Sequence, residues 1–253
     1  MPHPHTSATT VINGITLKKI HARRLREMYR SAGWPCLDVV EIELLAAGLL
    51  ERLQEDAGHE RLRVTDVGIQ FLAGAAMVNR QAKDAHEGLV DRIAQDMLKE
   101  GRLVWTNLSL RAKVTLEDQE DGHWKYCLPD VFSIRNSSVQ SYLEPIVHEI
   151  KVSRADLLGD LKRPEKRAAY LELGGQCWYV LGRDAKDRPI AQPEEIPAEC
   201  GVIQWGQDKL EILRLAPKRQ FNYLPFGVWM ALAKATPLRH HEAIHPYQSK
   251  LVD

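Results

Sequence analysis

Residues 128 to 152 read LPDVFSIRNSSVQSYLEPIVHEIKV, and this stretch decides the fold. Two runs rich in β-branched and aromatic residues, at 131–134 and 146–152, fit the pleated, half-buried surface of a strand. The polar segment between them, from Arg135 to Gln140, is rich in Asn and Ser and predicts a turn. The stretch therefore predicts two strands, with Asp130 directly before the first of them.

The second predicted strand carries a Glu-x-Lys triplet, Glu149-Ile150-Lys151. Side chains two residues apart leave the same face of a strand, so Glu149 and Lys151 are predicted to project together into a wet cleft, with Ile150 in the core. If the two strands are neighbours, Asp130 lies beside Glu149. Two carboxylates and a backbone carbonyl form an oxygen site suited to Mg²⁺ or Mn²⁺. Lys151 would orient or activate a water, or stabilise charge on a phosphate, which together describes metal-assisted phosphodiester hydrolysis.

Asp130, Glu149 and Lys151 in this pattern resemble the motif of the PD-(D/E)xK nuclease superfamily. The continuation from Glu149 to Gly182, EIKVSRADLLGDLKRPEKRAAYLELGGQCWYVLG, is similar to a small bacterial group of MmcB-like, DNA-repair-associated proteins. The resemblance covers roughly residues 84 to 219.

This resemblance implies an α/β fold with a restriction-endonuclease-like core, in which helices flank a mixed central sheet. It also implies an endonuclease that acts on DNA with Mg²⁺ or Mn²⁺, and metal ligands at Asp130 and Glu149. Because the superfamily includes members that have lost activity, a catalytically silent DNA-binding or partner-recruiting protein is the alternative.

Residues 84–100 predict an amphipathic helix ahead of the core strands. Nucleases of this superfamily often place a Glu on that helix, and Glu87 stands at the corresponding position, with His86 as its rival. A Glu in the first turn of a helix is also favoured by the helix dipole, so a purely structural role stays open.

Two short helices are predicted after Lys151, the first capped by Ser153 and the second started by Pro164. Basic residues on these helices are expected to contact DNA phosphates, the alternative being a solvated helix face: Arg154, Lys162, Arg163, Lys166 and Arg167.

Residues 15–75 predict a small N-terminal domain. The segment 47–72, AGLLERLQEDAGHERLRVTDVGIQFL, looks like the second half of a winged helix-turn-helix. The helix that would enter a DNA groove, at 37–47, carries three acidic residues and no Lys or Arg, whereas DNA readers rely on both basic types. A protein partner and duplex binding through the Arg-rich first helix therefore both stay open. A winged-helix transcription regulator would leave the rest of the chain unexplained.

The composition limits the function further. The 253 residues include 34 Lys plus Arg and 34 Asp plus Glu, so any nucleic-acid surface must be a local patch. The sequence contains no apolar run long enough to span a membrane, no signal-peptide pattern and no Cys-x-x-Cys pair, which favours the cytoplasm. No pattern indicates an oligomeric state.

The predicted organisation is a disordered tail at 1–14, a winged-helix-like domain at 15–75, a nuclease-like domain at 84–235 and a flexible tail at 236–253, with residues 74–83 as a linker. Inside the nuclease-like domain we expect single strands at 103–116 and 124–134 and a terminal hairpin at 201–215. The leading function is a metal-dependent DNA endonuclease in DNA repair or defence.

Overall fold

The computed structural model describes residues 10–31, 33–54, 59–114, 122–206, 209–219 and 223–239. The chain divides into two compact units, Met1–Gln81 and Ala82–Asp253. Within the described residues, no helix combines the length and the apolar character needed to cross a membrane.

The first unit contains, in its described part, two hairpins and helices. Helix α1 (Lys19–Arg30) buries His21, Leu25 and Met28, which the helical period places on one face. Asp38 caps helix α2 (Val39–Ala46) by accepting a hydrogen bond from the backbone nitrogen of Glu41 at 2.9 Å. The elements in order are β1 (Val11–Ile12), β2 (Ile15–Thr16), α1 (Lys19–Arg30), α2 (Val39–Ala46), β3 (Leu50–Gln54), β4 (Glu60–Val64) and the start of α3 (Asp66–Lys99).

The second unit is organised around one mixed sheet. After α3 the elements are β5 (Arg102–Thr106), β6 (Leu110–Val114), β7 (His123–Cys127), β8 (Val131–Arg135), β9 (Ile146–Lys151), α4 (Arg154–Leu161), α5 (Pro164–Leu173), β10 (Gln176–Leu181), β11 (Gly201–Trp205), β12 (Leu210–Arg214) and α6 (Phe226–Lys234). The six-stranded sheet has the order β12-β11-β10-β9-β8-β5. Strands β9, β10 and β11 are parallel to one another, and the remaining pairings are antiparallel.

Each face of this sheet has its own hydrophobic core. On one face, Ile93 of α3 belongs to a cluster with Val131 and Ile150. On the other face, the helices α4, α5 and α6 contribute to a cluster that includes Phe132 and Val147. Successive residues of β8 therefore alternate between the two cores, as the period of a strand requires. The predicted α/β class, with helices flanking a mixed sheet, is confirmed.

Two predicted strands are each split in the structure. The strand expected at 103–116 is broken at Asn107, whose φ of 54° lies in the left-handed region that a strand cannot use. The strand expected at 124–134 is broken around Pro129, which has no N–H to donate to a ladder. As a result β5 and β8 belong to the central sheet, while β6 and β7 pair separately as a two-stranded ribbon.

The boundary between the two units, after Gln81, falls inside the segment 74–83 that was predicted to join them, but this junction is helical, because α3 is continuous from Asp66 to Lys99. The segment contains no Pro and is rich in Ala, Gln, Lys and Arg, which favour a helix, so Gly74 does not interrupt it. Where the predicted tails are described, their backbone forms hydrogen bonds: β1 pairs with β2, and the backbone nitrogen of Leu238 donates to the carbonyl of Val104 at 2.8 Å. Residues 1–9 and 240–253 lie outside the described residues. The terminal hairpin is confirmed as β11 and β12.

Two glycines of α3 give opposite predictions. A Cβ on Gly74 would have no neighbour within 4 Å, so Gly74→Ala should raise the free energy of unfolding by about 0.5–1 kcal/mol through the lower helix propensity of Gly. A Cβ on Gly68 would lie 2.4 Å from the carbonyl oxygen of Leu49, which is too close. Gly68→Ala should therefore lower the free energy of unfolding by about 1–3 kcal/mol. Urea unfolding followed by far-UV circular dichroism measures both. No stabilisation by Gly74→Ala would contradict a continuous helix.

Candidate active site

Asp130 is fixed against the strand that carries the Glu-x-Lys triplet. The ladder between β8 and β9 pairs Val131 with His148, and Asp130 and Glu149 are the next residues outward on the two chains. The Oδ2 atom of Asp130 accepts a hydrogen bond from the backbone nitrogen of Ile150 at 2.7 Å. This bond holds the partly exposed carboxylate at the end of the ladder, beside the triplet.

Glu149 is almost completely buried, with 4% of its side chain exposed. Its Oε1 atom accepts hydrogen bonds from Nζ of Lys151 at 2.7 Å and from Nζ of Lys166 at 2.5 Å. Its Oε2 atom is also buried, and among the described residues it has no partner within hydrogen-bond geometry, although the Tyr170 hydroxyl, which donates to the carbonyl of Leu128, lies near enough for Glu149 to raise the pKa of Tyr170. A buried acceptor without a partner costs free energy, so this oxygen is available to a ligand that the protein alone does not supply.

Lys151 lies on the same face of β9 as Glu149, as predicted, and 6% of its side chain is exposed. Its Nζ atom is also 3.2 Å from Oδ2 of Asp156 on α4. Burial by itself lowers the pKa of Lys151, but the charge and the hydrogen bond of Glu149 raise that pKa by more. Glu149 therefore favours the charged form of Lys151, which suits hydrogen-bond donation and charge stabilisation.

Asp160 on α4 is a member of this cluster that sequence reasoning missed. Its Oδ1 atom accepts a hydrogen bond from Nζ of Lys166 at 2.6 Å, and its Oδ2 atom accepts one from the hydroxyl of Tyr179 at 2.8 Å. Burial raises the pKa of Asp160, but the Lys166 hydrogen bond and the Lys151 charge lower it by more. The carboxylates of Glu149 and Asp160 thus face the ammonium groups of Lys151 and Lys166, and we call these four residues the charge cluster.

The expectation that Glu149 and Lys151 project into a wet cleft is wrong. Helices α4 and α5 cover this face of β9 and carry Asp160 and Lys166 over it. The local signals for these helices were right: the Ser153 side chain accepts from the backbone nitrogen of Asp156 at 3.2 Å, and Pro164 begins α5. The two helices therefore form a compact ion-pair network with β9 where an open surface was expected.

Helix α3 contributes His86 to the site. Its Nε2 atom lies 3.4 Å from Oδ1 of Asp130, and the hydrogen bond with Asp130 raises the pKa of His86 against the effect of burial. Glu87 is exposed, and in the described part of the chain no hydrogen bond or ion pair joins it to Asp130 or Glu149. Its carboxylate acts on the site only through its charge, which helps to raise the pKa of His86.

The five basic residues expected to contact DNA fall into two groups. Three of them already bind carboxylates: Arg154 contacts Glu195 at 2.5 Å, Arg167 contacts Glu199 at 2.8 Å, and Lys166 belongs to the charge cluster. Lys162 and Arg163, between α4 and α5, are exposed, and neither forms an ion pair with a described residue. Within the described ranges, these are the two residues of the set whose charges no carboxylate neutralises.

The donors beside the triplet fit a hard divalent cation. Among the described residues, no group of three or more His, Cys, Asp or Glu side chains is arranged to hold a metal. Mg²⁺, however, is usually held by one or two carboxylates, with waters and substrate phosphates as its other ligands. Asp130 and Glu149 would supply those two carboxylates, and the buried Oε2 atom of Glu149 has no hydrogen-bond partner among the described residues. The residues present therefore fit Mg²⁺ or Mn²⁺.

Comparisons with known proteins add little to this geometry. No protein-family model and no curated protein sequence matches the chain. Among solved structures, it is similar to the SPO1766 protein of unknown function from Silicibacter pomeroyi. The sequence identity is 22%, the TM-score is 0.35, and the match covers 56% of this chain and 77% of that protein. A likeness at this level carries no inference about fold or function.

The two free cations give a prediction about DNA binding. Replacing Lys162 and Arg163 together by Ala should weaken binding about equally for all sequences, since phosphate contacts carry no base information. The slope of log affinity against log salt concentration should become less steep by up to about 0.9 for each phosphate that is no longer neutralised. Lys186→Ala, at an exposed loop position of the same unit, is the control and should leave the slope unchanged. An unchanged slope in the double variant would mean that these side chains are merely solvated.

Proposed function

We propose that this protein is a Mg²⁺- or Mn²⁺-dependent DNA endonuclease that hydrolyses phosphodiester bonds. The observation that supports it most is the carboxylate of Glu149. It is buried, one of its oxygens lacks a hydrogen-bond partner among the described residues, and Asp130, directly before the neighbouring strand β8, is the residue that follows on across the ladder. A site that served stability alone would gain from satisfying or replacing that oxygen.

The order of the elements agrees with the resemblance to the PD-(D/E)xK superfamily. A helix precedes the antiparallel strands β5, β8 and β9, and two helices then lead to β10, which pairs with β9 in parallel. Glu149 and Lys151 of the motif stand on β9, and Asp130 directly precedes the adjacent strand β8, an arrangement similar to that of the superfamily. This agreement supports a restriction-endonuclease-like core, and the DNA-repair or defence setting rests on the MmcB-like resemblance alone.

The residues divide the chemistry among them. Asp130 and Glu149 would hold the cation, which when bound acidifies a water and polarises the phosphate. Lys151, a cation held rigidly by Glu149, donates to the attacking water or to the phosphate oxygens and stabilises the charge that develops there. His86 orients Asp130 from the opposite side, and Lys162 and Arg163 position the DNA backbone.

The proposed role of the first unit is that of a winged-helix-like module that binds a protein partner. A pair of helices, the β3–β4 hairpin and the start of α3 agree with such a module. The acidic residues of α2 are used inside the unit: Glu41 is buried and accepts from the backbone nitrogen of Leu37 at 2.9 Å, and Glu43 binds His21. The outward residues Val39 and Ile42 are exposed and apolar, which favours a protein surface over a DNA groove.

A second candidate is a catalytically silent DNA-binding or partner-recruiting protein on the same fold. The burial of both Glu149 and Lys151 favours it, because a closed ion-pair network can be complete without metal. The two candidates differ in whether a divalent cation binds beside Asp130, and this can be measured directly.

Asp130→Asn is the sharpest test of the metal site. Asn keeps an acceptor for the backbone nitrogen of Ile150 but removes the charge. In the wild type, Mg²⁺ or Mn²⁺ should raise the melting temperature by mass action, and in Asp130→Asn this shift should disappear. Cleavage of labelled DNA should fall at least about a hundredfold, as expected for the loss of roughly 3 kcal/mol of transition-state stabilisation. Glu194→Gln, at an exposed carboxylate of the same unit, is the matched control and should behave as wild type.

Glu149→Gln and Lys151→Ala should also abolish cleavage, and their folding must be measured in parallel. Removing one partner from a buried ion pair costs about 3–5 kcal/mol, so both variants should melt earlier than Asp130→Asn. A wild type that binds DNA but cleaves no duplex, branched or single-stranded substrate in either metal would establish the silent protein instead.

A further inference from the structure

The outer face of the β6–β7 ribbon is made of aromatic and basic side chains. The register pairs Arg111 with Tyr126 and Lys113 with Trp124 across the two strands. Trp124 is 56% exposed and Tyr126 is 66% exposed, and both basic residues are exposed beside them. Residues of the opposite face of β6 are buried, so the ribbon presents one face to solvent: Leu110, Ala112 and Val114. We call Arg111, Lys113, Trp124 and Tyr126 the ribbon platform.

Arg111 organises the ribbon platform. Its guanidinium carbon lies 4.8 Å from the ring centroid of Tyr126 and 5.7 Å from that of Trp124. These contacts hold the two rings while leaving more than half of each side chain open. Neither strand of the ribbon contains an acidic residue, and in the described part of the chain neither Arg111 nor Lys113 forms an ion pair. The acidic residues at 117, 118, 120 and 121 lie outside the described residues.

The ribbon platform leads directly to the candidate active site. Tyr126 is four residues from Asp130, which in extended chain is at most about 13 Å. The connecting backbone is fixed, because the hydroxyl of Tyr170 donates to the carbonyl of Leu128 at 2.9 Å. On the inner face, Lys125 contacts Glu165 of α5 at 2.8 Å, one residue from Lys166 of the charge cluster.

We propose that the ribbon platform binds an unpaired segment of a nucleic-acid strand, with bases stacked on Trp124 and Tyr126 and phosphates neutralised by Arg111 and Lys113. Open aromatic faces interleaved with cations are the recognition chemistry of single strands, since every base has a π face once it is unpaired. Duplex DNA hides those faces and offers only phosphates. This proposal rests on the proposed nuclease function, because it makes the platform the surface that leads a strand to the scissile phosphate. It assigns the substrate of the nuclease as a strand with an unpaired segment beside the cut.

The test measures binding without cleavage. Fluorescence anisotropy with a short labelled oligo(dT), an oligo(rU) and a blunt duplex, all in EDTA, compares wild type with Trp124→Ala/Tyr126→Ala and Arg111→Ala/Lys113→Ala. Tyr142→Ala, at another exposed ring of the same unit, is the matched control. Melting temperatures are recorded for every variant, because cross-strand pairs also stabilise a ribbon. If the Ala variant does not fold, Trp124→Leu and Tyr126→Leu retain the apolar area without the rings.

The aromatic double variant should lose at least about tenfold in affinity for oligo(dT), with duplex binding and Tyr142→Ala unaffected. The basic double variant should flatten the salt dependence of oligo(dT) binding by up to about 0.7 for each phosphate that is no longer neutralised. Equal losses of affinity for oligo(rU) would mean that the platform binds unpaired DNA and RNA alike. A loss of affinity for oligo(dT) alone would mean that it binds unpaired DNA. Wild-type affinity for single strands in the folded aromatic variant, or no single-strand binding by the wild type, would overturn the proposal and leave the ribbon as a solvated or protein-contact surface.

The same experiments separate this proposal from the nuclease function. If Asp130→Asn abolishes cleavage while the aromatic double variant binds single strands like wild type, the nuclease stands and the platform fails. If no metal supports cleavage but the aromatic variant loses single-strand binding, the platform proposal is supported and the protein is a catalytically silent binder.

Discussion

The carboxylate of Glu149 lies beneath α4 and α5, and the groups that neutralise it come from different parts of the chain. Lys151 is two residues further along β9, while Lys166 reaches it from α5 and is itself held by Asp160 of α4. Moving an ion out of water costs several kcal/mol, which only close, well-oriented partners offset. The charge cluster therefore ties both helices to the sheet, and each of its members depends on the others for its position.

A buried ion-pair network is a poor source of stability, because well-packed apolar residues of the same volume are often equally stabilising. The charge cluster is also incomplete, since one oxygen of Glu149 has no partner among the described residues. Both facts fit a site kept for chemistry. The two lysines of the charge cluster are placed differently. Lys166 lies between Glu149 and Asp160, while Lys151 lies on the same strand as Glu149 and next to Ile150, from whose backbone nitrogen Asp130 accepts a hydrogen bond.

The break between strands β7 and β8 at Pro129 has two consequences. It ends the β6–β7 ribbon, whose described strands pair with each other and not with the central sheet. It also precedes β8 of the central sheet, and Asp130 is the residue directly before that strand. Because proline has no N–H, the ladder of the ribbon cannot continue into β8. The same few residues thus place a carboxylate at the end of the β8–β9 ladder and turn an aromatic, basic surface toward solvent beside it. The proposed metal site and the ribbon platform are connected by backbone held in place through Tyr170.

Local patterns were enough to predict β9, the shared face of Glu149 and Lys151, the Ser153 cap and the terminal hairpin, because strand period, capping and turn chemistry act over a few residues. The break at Asn107 and the continuity of α3 are also local, yet they were missed, since single residues in a left-handed or helical conformation carry weak signals. Only tertiary structure decided that Glu149 and Lys151 are buried, that Asp160 and Lys166 join them, and that His86 rather than Glu87 meets Asp130. Those contacts join residues far apart in the chain, and they depend on how helices pack over a sheet, which no local periodicity encodes.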